Sequence, residues 1–173
     1  MSDFSGPLAG ARRRPRKRYV LRPAVLVLIP VLAILFQVYS PRLLSYLAFL
    51  DLPLLVTVYF ALLLRQPVWG LLIGCGIGLA QDAFSHQPVG IFGIVKTLVG
   101  YFAASLSQRV DVENPAIRFF IGFFFYFFHQ VTHWVIISTL LAHPLGFSLA
   151  ETFVYGLLNG VVAMPLFSLL DRQ

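Results

Sequence analysis

His129 and His133 stand four residues apart, so a helix carries both imidazoles on one face, at the spacing by which two imidazoles share a metal ion. Gln130, rather than a glutamate, follows His129, so the pair lacks the general base of an HExxH zinc protease, and two histidines are too few to define a metal site. No metal is assigned to them. Their expected role is hydrogen bonding across helices, to Asn159 or to Asp82. Asp82 and Lys96 form the second constellation. Lys96 falls about two turns into an apolar stretch, where an ionisable group is costly and normally finds a partner or a watery cavity. The connection through Pro88 and Gly90 brings it toward Asp82, and an intramembrane ion pair near the outer face is expected. Three readings of Lys96 stay open: a structural bridge, an ammonium that snorkels outward, or a polar pocket that holds an anionic group. No serine–histidine dyad, metal triad or close pair of carboxylates occurs at a recognisable spacing. Catalytic residues and cofactors are therefore not assigned, and the chain is not expected to be an enzyme.

The elements that carry these residues are apolar almost throughout. A hydrophobic fraction of 58% and a mean hydropathy of +0.82 cannot be hidden inside a soluble globule of 173 residues. The expected fold class is all-α: a polytopic membrane bundle of about six transmembrane helices, from spans near 20–38, 43–64, 67–81, 89–108, 116–141 and 149–170. Residues 1–18 read as a disordered basic tail and residues 19–173 as one transmembrane domain. Asp51 and Pro53 interrupt the second span. Asp51 suits an N-cap and Pro53 the first turn that follows, which leaves 43–50 as an interfacial segment and 52–64 as a short helix. Such a helix rises only about 20 Å against a hydrocarbon core of about 30 Å. Cys75 is the lone cysteine, so no intrachain disulfide forms.

Gly70, Gly74 and Gly78 recur every four residues and make a smooth stripe for close helix packing, and Gly156 with Gly160 repeats the device. Gly93, Thr97, Gly100 and Ala104 form a looser version. From Phe119 to Phe128, eight of ten residues are aromatic. Phe119, Phe120, Phe123, Phe124 and Phe127 are the candidate surface for another protein's transmembrane helix, with contact to lipid as the plain alternative. Arg12, Arg13, Arg14, Arg16, Lys17 and Arg18 precede the first span. They hold the tail in the cytoplasm and attract anionic lipid, and a nucleic-acid role is not expected. Six spans with both termini cytoplasmic put eleven of the thirteen Lys and Arg residues inside, Arg42 outside and Lys96 within a span.

The strings Asp51-Leu52-Pro53-Leu54-Leu55, Tyr59-Phe60-Ala61-Leu62, Gly78-Leu79-Ala80-Gln81-Asp82, Pro88-Val89-Gly90 and Val99-Gly100-Tyr101 resemble the rod shape-determining protein MreD family. The resemblance covers about 20–170 in span layout and is sharpest over 51–101. It implies a non-catalytic scaffold of the bacterial inner membrane, part of the cell-elongation machinery. The implied partner is an MreC-like single-span protein and, through it, an MreB-like filament and the wall-synthesis glycosyltransferase and transpeptidase. The family's bundle is similar to the substrate-binding subunits of energy-coupling-factor vitamin transporters, which makes such a subunit the rival function. For that rival, Asp82, Lys96, His133 and Glu151 would supply polar groups at the outer face. Lys96, the two histidines and the long aromatic tract depart from the family pattern.

Overall fold

Asp51 is where the chain's architecture turns. In the computed structural model, which describes residues 23–43, 49–85, 89–140 and 146–172, its carboxylate accepts a hydrogen bond from the Leu54 N–H at 2.9 Å, and Pro53 occupies the first turn of the helix it caps. Both choices follow from helix ends: Asp satisfies a donor that has no partner in the helix, and Pro has no N–H to leave orphaned. The described residues form six helices and no strand: α1 (Pro23–Leu43), α2 (Leu52–Leu64), α3 (Pro67–Phe84), α4 (Ile91–Leu106), α5 (Pro115–Leu140) and α6 (Leu149–Leu170). Their bounds match the expected helical segments closely. The first helix runs on to Leu43 rather than ending near Val38. The basic tail, residues 44–48 of the expected interfacial segment, Pro88 and the loops at His86 and His143 lie outside the described residues.

Successive helices run in opposite directions, so the bundle has two ends. One gathers the last residues of α2, α4 and α6 with the first of α5. There Gln108 donates to the Arg65 carbonyl at 3.2 Å, and Arg118 bonds both Ser168 and Asp171. Arg118 Nε also donates to the Val112 carbonyl at 2.8 Å, and the Tyr59 hydroxyl donates to Asp171 at 3.1 Å. This latch ties α2, α5 and α6 together through one buried guanidinium.

The short helix α2 sits in the middle. Every residue from Pro53 to Leu62 is buried, against α1, α3 and α4 along most of its length and against α5 and α6 at fewer points. The shielding that a 13-residue apolar helix requires is thus supplied by its neighbours. The helices around it carry the apolar exterior. α3, α5 and α6 are long and apolar enough to cross a membrane, and no more than a third of each apolar window is buried inside the bundle.

Small residues set the closest contacts. α3 and α4 form the most intimate pair, because Gly70, Gly74 and Gly78 let the α4 backbone approach at Gly100, Lys96 and Phe92. The expected looser stripe on α4 meets them, with Gly100 and Ala104 against Gly70. On α6, Gly156 and Gly160 receive the rings of Phe123 and Phe119 from α5. At Gly76, on another face of α3, an added methyl group would meet nothing within 4 Å.

That contrast gives a test on one helix with one substitution. A methyl group at Gly74 would overlap the Lys96 carbonyl, so Gly74→Ala should destabilise the bundle by about 1–3 kcal/mol or more. Gly76→Ala meets open space and should be neutral or stabilise by up to about 1 kcal/mol. Thermal unfolding of the two purified variants in detergent should shift in opposite directions, or at least only the first should fall.

Candidate functional site

The start of α2 brings together polar side chains from four helices. Lys96 Nζ, on α4, lies 3.3 and 3.4 Å from the two Asp51 carboxylate oxygens and donates to them. The Asp51 backbone N–H donates to Asn159 Oδ1 of α6 at 3.0 Å, and Asn159 Nδ2 donates to the carbonyls of Phe49 and Tyr155, both at 2.9 Å. Gln37 of α1 accepts from the Leu52 N–H at 3.3 Å. Lys96 and Asn159 are fully buried. Asn159 is ten residues into α6, about 15 Å from that helix's start, so the cluster lies well within the bundle.

Each contact answers a definite need. A helix that begins away from water has N–H groups with no intrahelical acceptor, and α2 finds acceptors in Asp51, Asn159 and Gln37. A buried ammonium without a counter-charge would be far more costly than a paired one, and Asp51 supplies the charge. Phe92 places its ring 5.6 Å from Lys96 Nζ and adds cation–π attraction.

The expected partner of Lys96 was Asp82, and the structure corrects this. Asp82 is buried at the far end of α3, where its carboxylate accepts the N–H groups of Gly90, Phe92 and Gly93 at 2.9, 3.1 and 3.0 Å. It caps α4 from outside that helix. The capped turn needs Gly90 in the left-handed region, φ 103°, which a side chain would disfavour. Asp82 is occupied by backbone donors that sequence spacing does not reveal, whereas Asp51, 45 positions before Lys96, is brought over it by the packing of α2 on α4. Full burial of Lys96 also removes the snorkelling reading.

His129 and His133 share one face of α5, as their spacing requires. Both stack on Phe92, with ring centroids 6.0 and 5.2 Å away, and on one another at 6.1 Å. Neither hydrogen-bonds Asn159 or Asp82. His129 Nε2 stands 3.7 Å from Asp51 Oδ2, and neither of its ring nitrogens has a hydrogen-bond partner among the described residues. No group of three His, Cys, Asp or Glu side chains among the described residues is arranged to hold a metal ion. Glu151 is exposed at the start of α6, where its N–H donates to Ser148 Oγ at 3.4 Å.

The five candidate aromatics divide. Phe119 and Phe123 are half-buried, packed over Gly160 and Gly156, and Phe123 meets Phe153 edge to face at 5.3 Å. Phe127 is likewise half-buried, while Phe120 and Phe124 are exposed. The last two are each more than half exposed. Sequence reasoning missed the role of Asn159, although a lone amide between Gly156 and Gly160 in an apolar helix signals a cross-helix bond. It also missed the Arg118–Asp171 latch, whose residues lie 53 positions apart.

No protein family model matches the chain, and no curated protein or solved structure matches it.

The corrected pairing is testable by double-mutant cycle. Asp51→Asn leaves a buried ammonium unpaired and Lys96→Met leaves a carboxylate unpaired, so each should cost about 3–5 kcal/mol. The double variant should lose clearly less than the sum. Asp82→Asn combined with Lys96→Met should be much closer to additive. Unfolding in detergent reads all three, and strict additivity of the first pair would exclude a direct Asp51–Lys96 interaction.

Proposed function

We propose that this protein is an MreD-like scaffold of the bacterial inner membrane: six spans with both termini cytoplasmic, no chemistry of its own, and a binding face for an MreC-like single-span partner. Through that partner it would act with an MreB-like filament and the wall-synthesis glycosyltransferase and transpeptidase in control of cell shape. The sequence resemblance over 51–101 supplies the family. The observation that carries the choice of scaffold over vitamin-binding subunit is the fate of the four polar side chains a ligand pocket would use. Lys96 is bonded to Asp51, Asp82 caps α4, His133 lies against Phe92 and Glu151 stands exposed at the start of α6. Three of them gather around Phe92, but Lys96 and Asp82 are already bonded to Asp51 and to the first N–H groups of α4, and Glu151 stands apart. A bundle whose inner charges, Asp51, Lys96 and Asp82, are spent on its own helices favours recognition by its apolar exterior.

In lipid, apolar area buried against another helix gains little over area buried against acyl chains, so partner binding relies on shape. Exposed Phe120 and Phe124 offer that shape on α5, and Phe119 and Phe123 do not, being committed to α6. Replacing both Phe120 and Phe124 with Ala should reduce copurification of the single-span partner several-fold without lowering the unfolding temperature, and cells relying on the variant should round up. Tight binding of a vitamin by the purified protein, with no single-span partner retained, would instead establish the transporter reading. Topology is checked separately: a cysteine placed at Ser2 or Gln173 should stay unreactive toward an impermeant reagent added to intact cells, and labelling at either site would overturn the six-span arrangement.

A further inference from the structure

His129 is buried with neither ring nitrogen hydrogen-bonded among the described residues, a state that buried polar groups seldom keep because it costs free energy. Its Nε2 stands 3.7 Å from Asp51 Oδ2, too long for a hydrogen bond and brought within reach of one by a movement of about 1 Å. The two Asp51 oxygens are unequally used. Oδ1 accepts from the Leu54 N–H at 2.9 Å and from Lys96 at 3.3 Å, whereas among the described residues Oδ2 accepts only from Lys96, at 3.4 Å. An ionised carboxylate has about four acceptor positions, so Oδ2, the oxygen nearer His129, has capacity for a further donor.

Depth and charge give this pair of groups its meaning. α2 begins at the level of Asn159, about 15 Å from the start of α6, and half of a hydrocarbon core of about 30 Å is the same distance. A helix that starts at half depth is the device by which discontinuous spanning helices build ion sites. Around His129 stand Asp51 at the start of α2, Lys96 and Phe92 on α4, and His133 on α5. Asp82 of α3 bonds the Phe92 N–H, Asn159 of α6 and Gln37 of α1 bond the turn at Asp51, and the Tyr126 and Tyr155 phenols lie near that carboxylate. With both imidazoles neutral, Asp51 and Asp82 set two formal negative charges against the single positive charge of Lys96. The starts of α2 and α4 hold these carboxylates by hydrogen bonds but carry no net charge. One added proton makes the cluster neutral. The Phe92 ring, 5.6 Å from Lys96 Nζ and stacked on both imidazoles, offers an imidazolium the same attraction it gives the ammonium. Two protons are disfavoured, because the histidine ring centroids are only 6.1 Å apart and like charges at that distance repel.

We propose that His129 and His133 form a proton-binding site at the start of α2, where one proton taken up on the pair gives Asp51 a second counter-ion, the His129 imidazolium. The proton comes from water, one N–H bond forms on the imidazole, and Lys96 keeps its own proton. The new ion pair closes the 3.7 Å gap and ties the start of α2 to α5, which it otherwise meets at few points. Proton concentration thereby sets how firmly α2 is seated. The site rests on this buried geometry and is independent of the scaffold reading, so loss of a single-span partner would leave the titrations below unchanged.

The test uses the full chain, alone, in lipid nanodiscs, with nitrogen-15 in its histidine rings and NMR spectra taken from about pH 8 to about pH 4. His129→Gln and His133→Gln assign the two signals. His129 should pass from neutral imidazole to imidazolium in this range, with no more than one proton gained by the two rings together. Lys96→Met removes the competing cation, and at pH 6 it should raise the protonated fraction of His129 at least ten-fold. Unfolding in detergent gives a second readout. Lys96→Met should regain at least half of its lost stability as the pH falls from about 8 to about 5, because the imidazolium then replaces the missing ammonium beside Asp51. Lys96→Met combined with His129→Gln should regain much less. Protonation of Asp51 itself would relieve both variants alike, so equal recovery would refute the site. A His129 signal that stays neutral down to pH 4 in the unaltered chain would also refute it, as would a protonated fraction indifferent to Lys96→Met.

Discussion

A helix that starts in the interior must find acceptors for its first N–H groups there, and the rest of this bundle is arranged around meeting that need for α2. Asp51 caps the helix with its side chain and, through the same carboxylate, holds the ammonium of Lys96. Its own N–H is held in turn by Asn159. Three helices are thereby locked to one residue. The arrangement is self-consistent in charge, since a carboxylate cap placed alone in an apolar interior would be as unfavourable as a lone lysine, and each makes the other tolerable. It also explains why α2 can be short. With ten consecutive residues buried by neighbouring helices, it never has to match the thickness of lipid itself.

Two glycine seams hold the remaining helices at the distance this cluster needs. Gly74 admits the α4 backbone at Lys96 itself, so the residue that brings the positive charge into the bundle is seated by the closest helix contact. Asp82 then caps α4 about one and a half turns away, fixing the depth at which Lys96 enters. On the other side, Phe119 and Phe123 fill the space over Gly160 and Gly156, on either side of Asn159. Backbone approach and ring packing serve the same purpose by different means: both position a polar side chain closely within an apolar medium. The inner charges are paired or bonded in this way, and the exterior is apolar and aromatic.

The sequence by itself determined the class and the layout. Six apolar runs, their interruptions and the caps at Asp51 and Pro53 are local properties, written in hydropathy and in the chemistry of helix ends, and the helices fall where those signals place them. The glycine stripes were legible for the same reason, because a period of four residues fixes a helix face without reference to the partner. Tertiary structure alone decided which charge met Lys96. Asp82 is nearer along the chain and was the natural choice, but α4's own N-terminal donors claimed it, and the fold carried Asp51 over Lys96 instead. It also decided which aromatics face outward, since a tract with rings on every side gives no hint of which ones a neighbouring helix will bury, and of the five candidates only Phe120 and Phe124 were left exposed. Spacing along one helix sets what shares a face; pairing between helices depends on rotation and depth, which are fixed by packing contacts distributed over the entire chain.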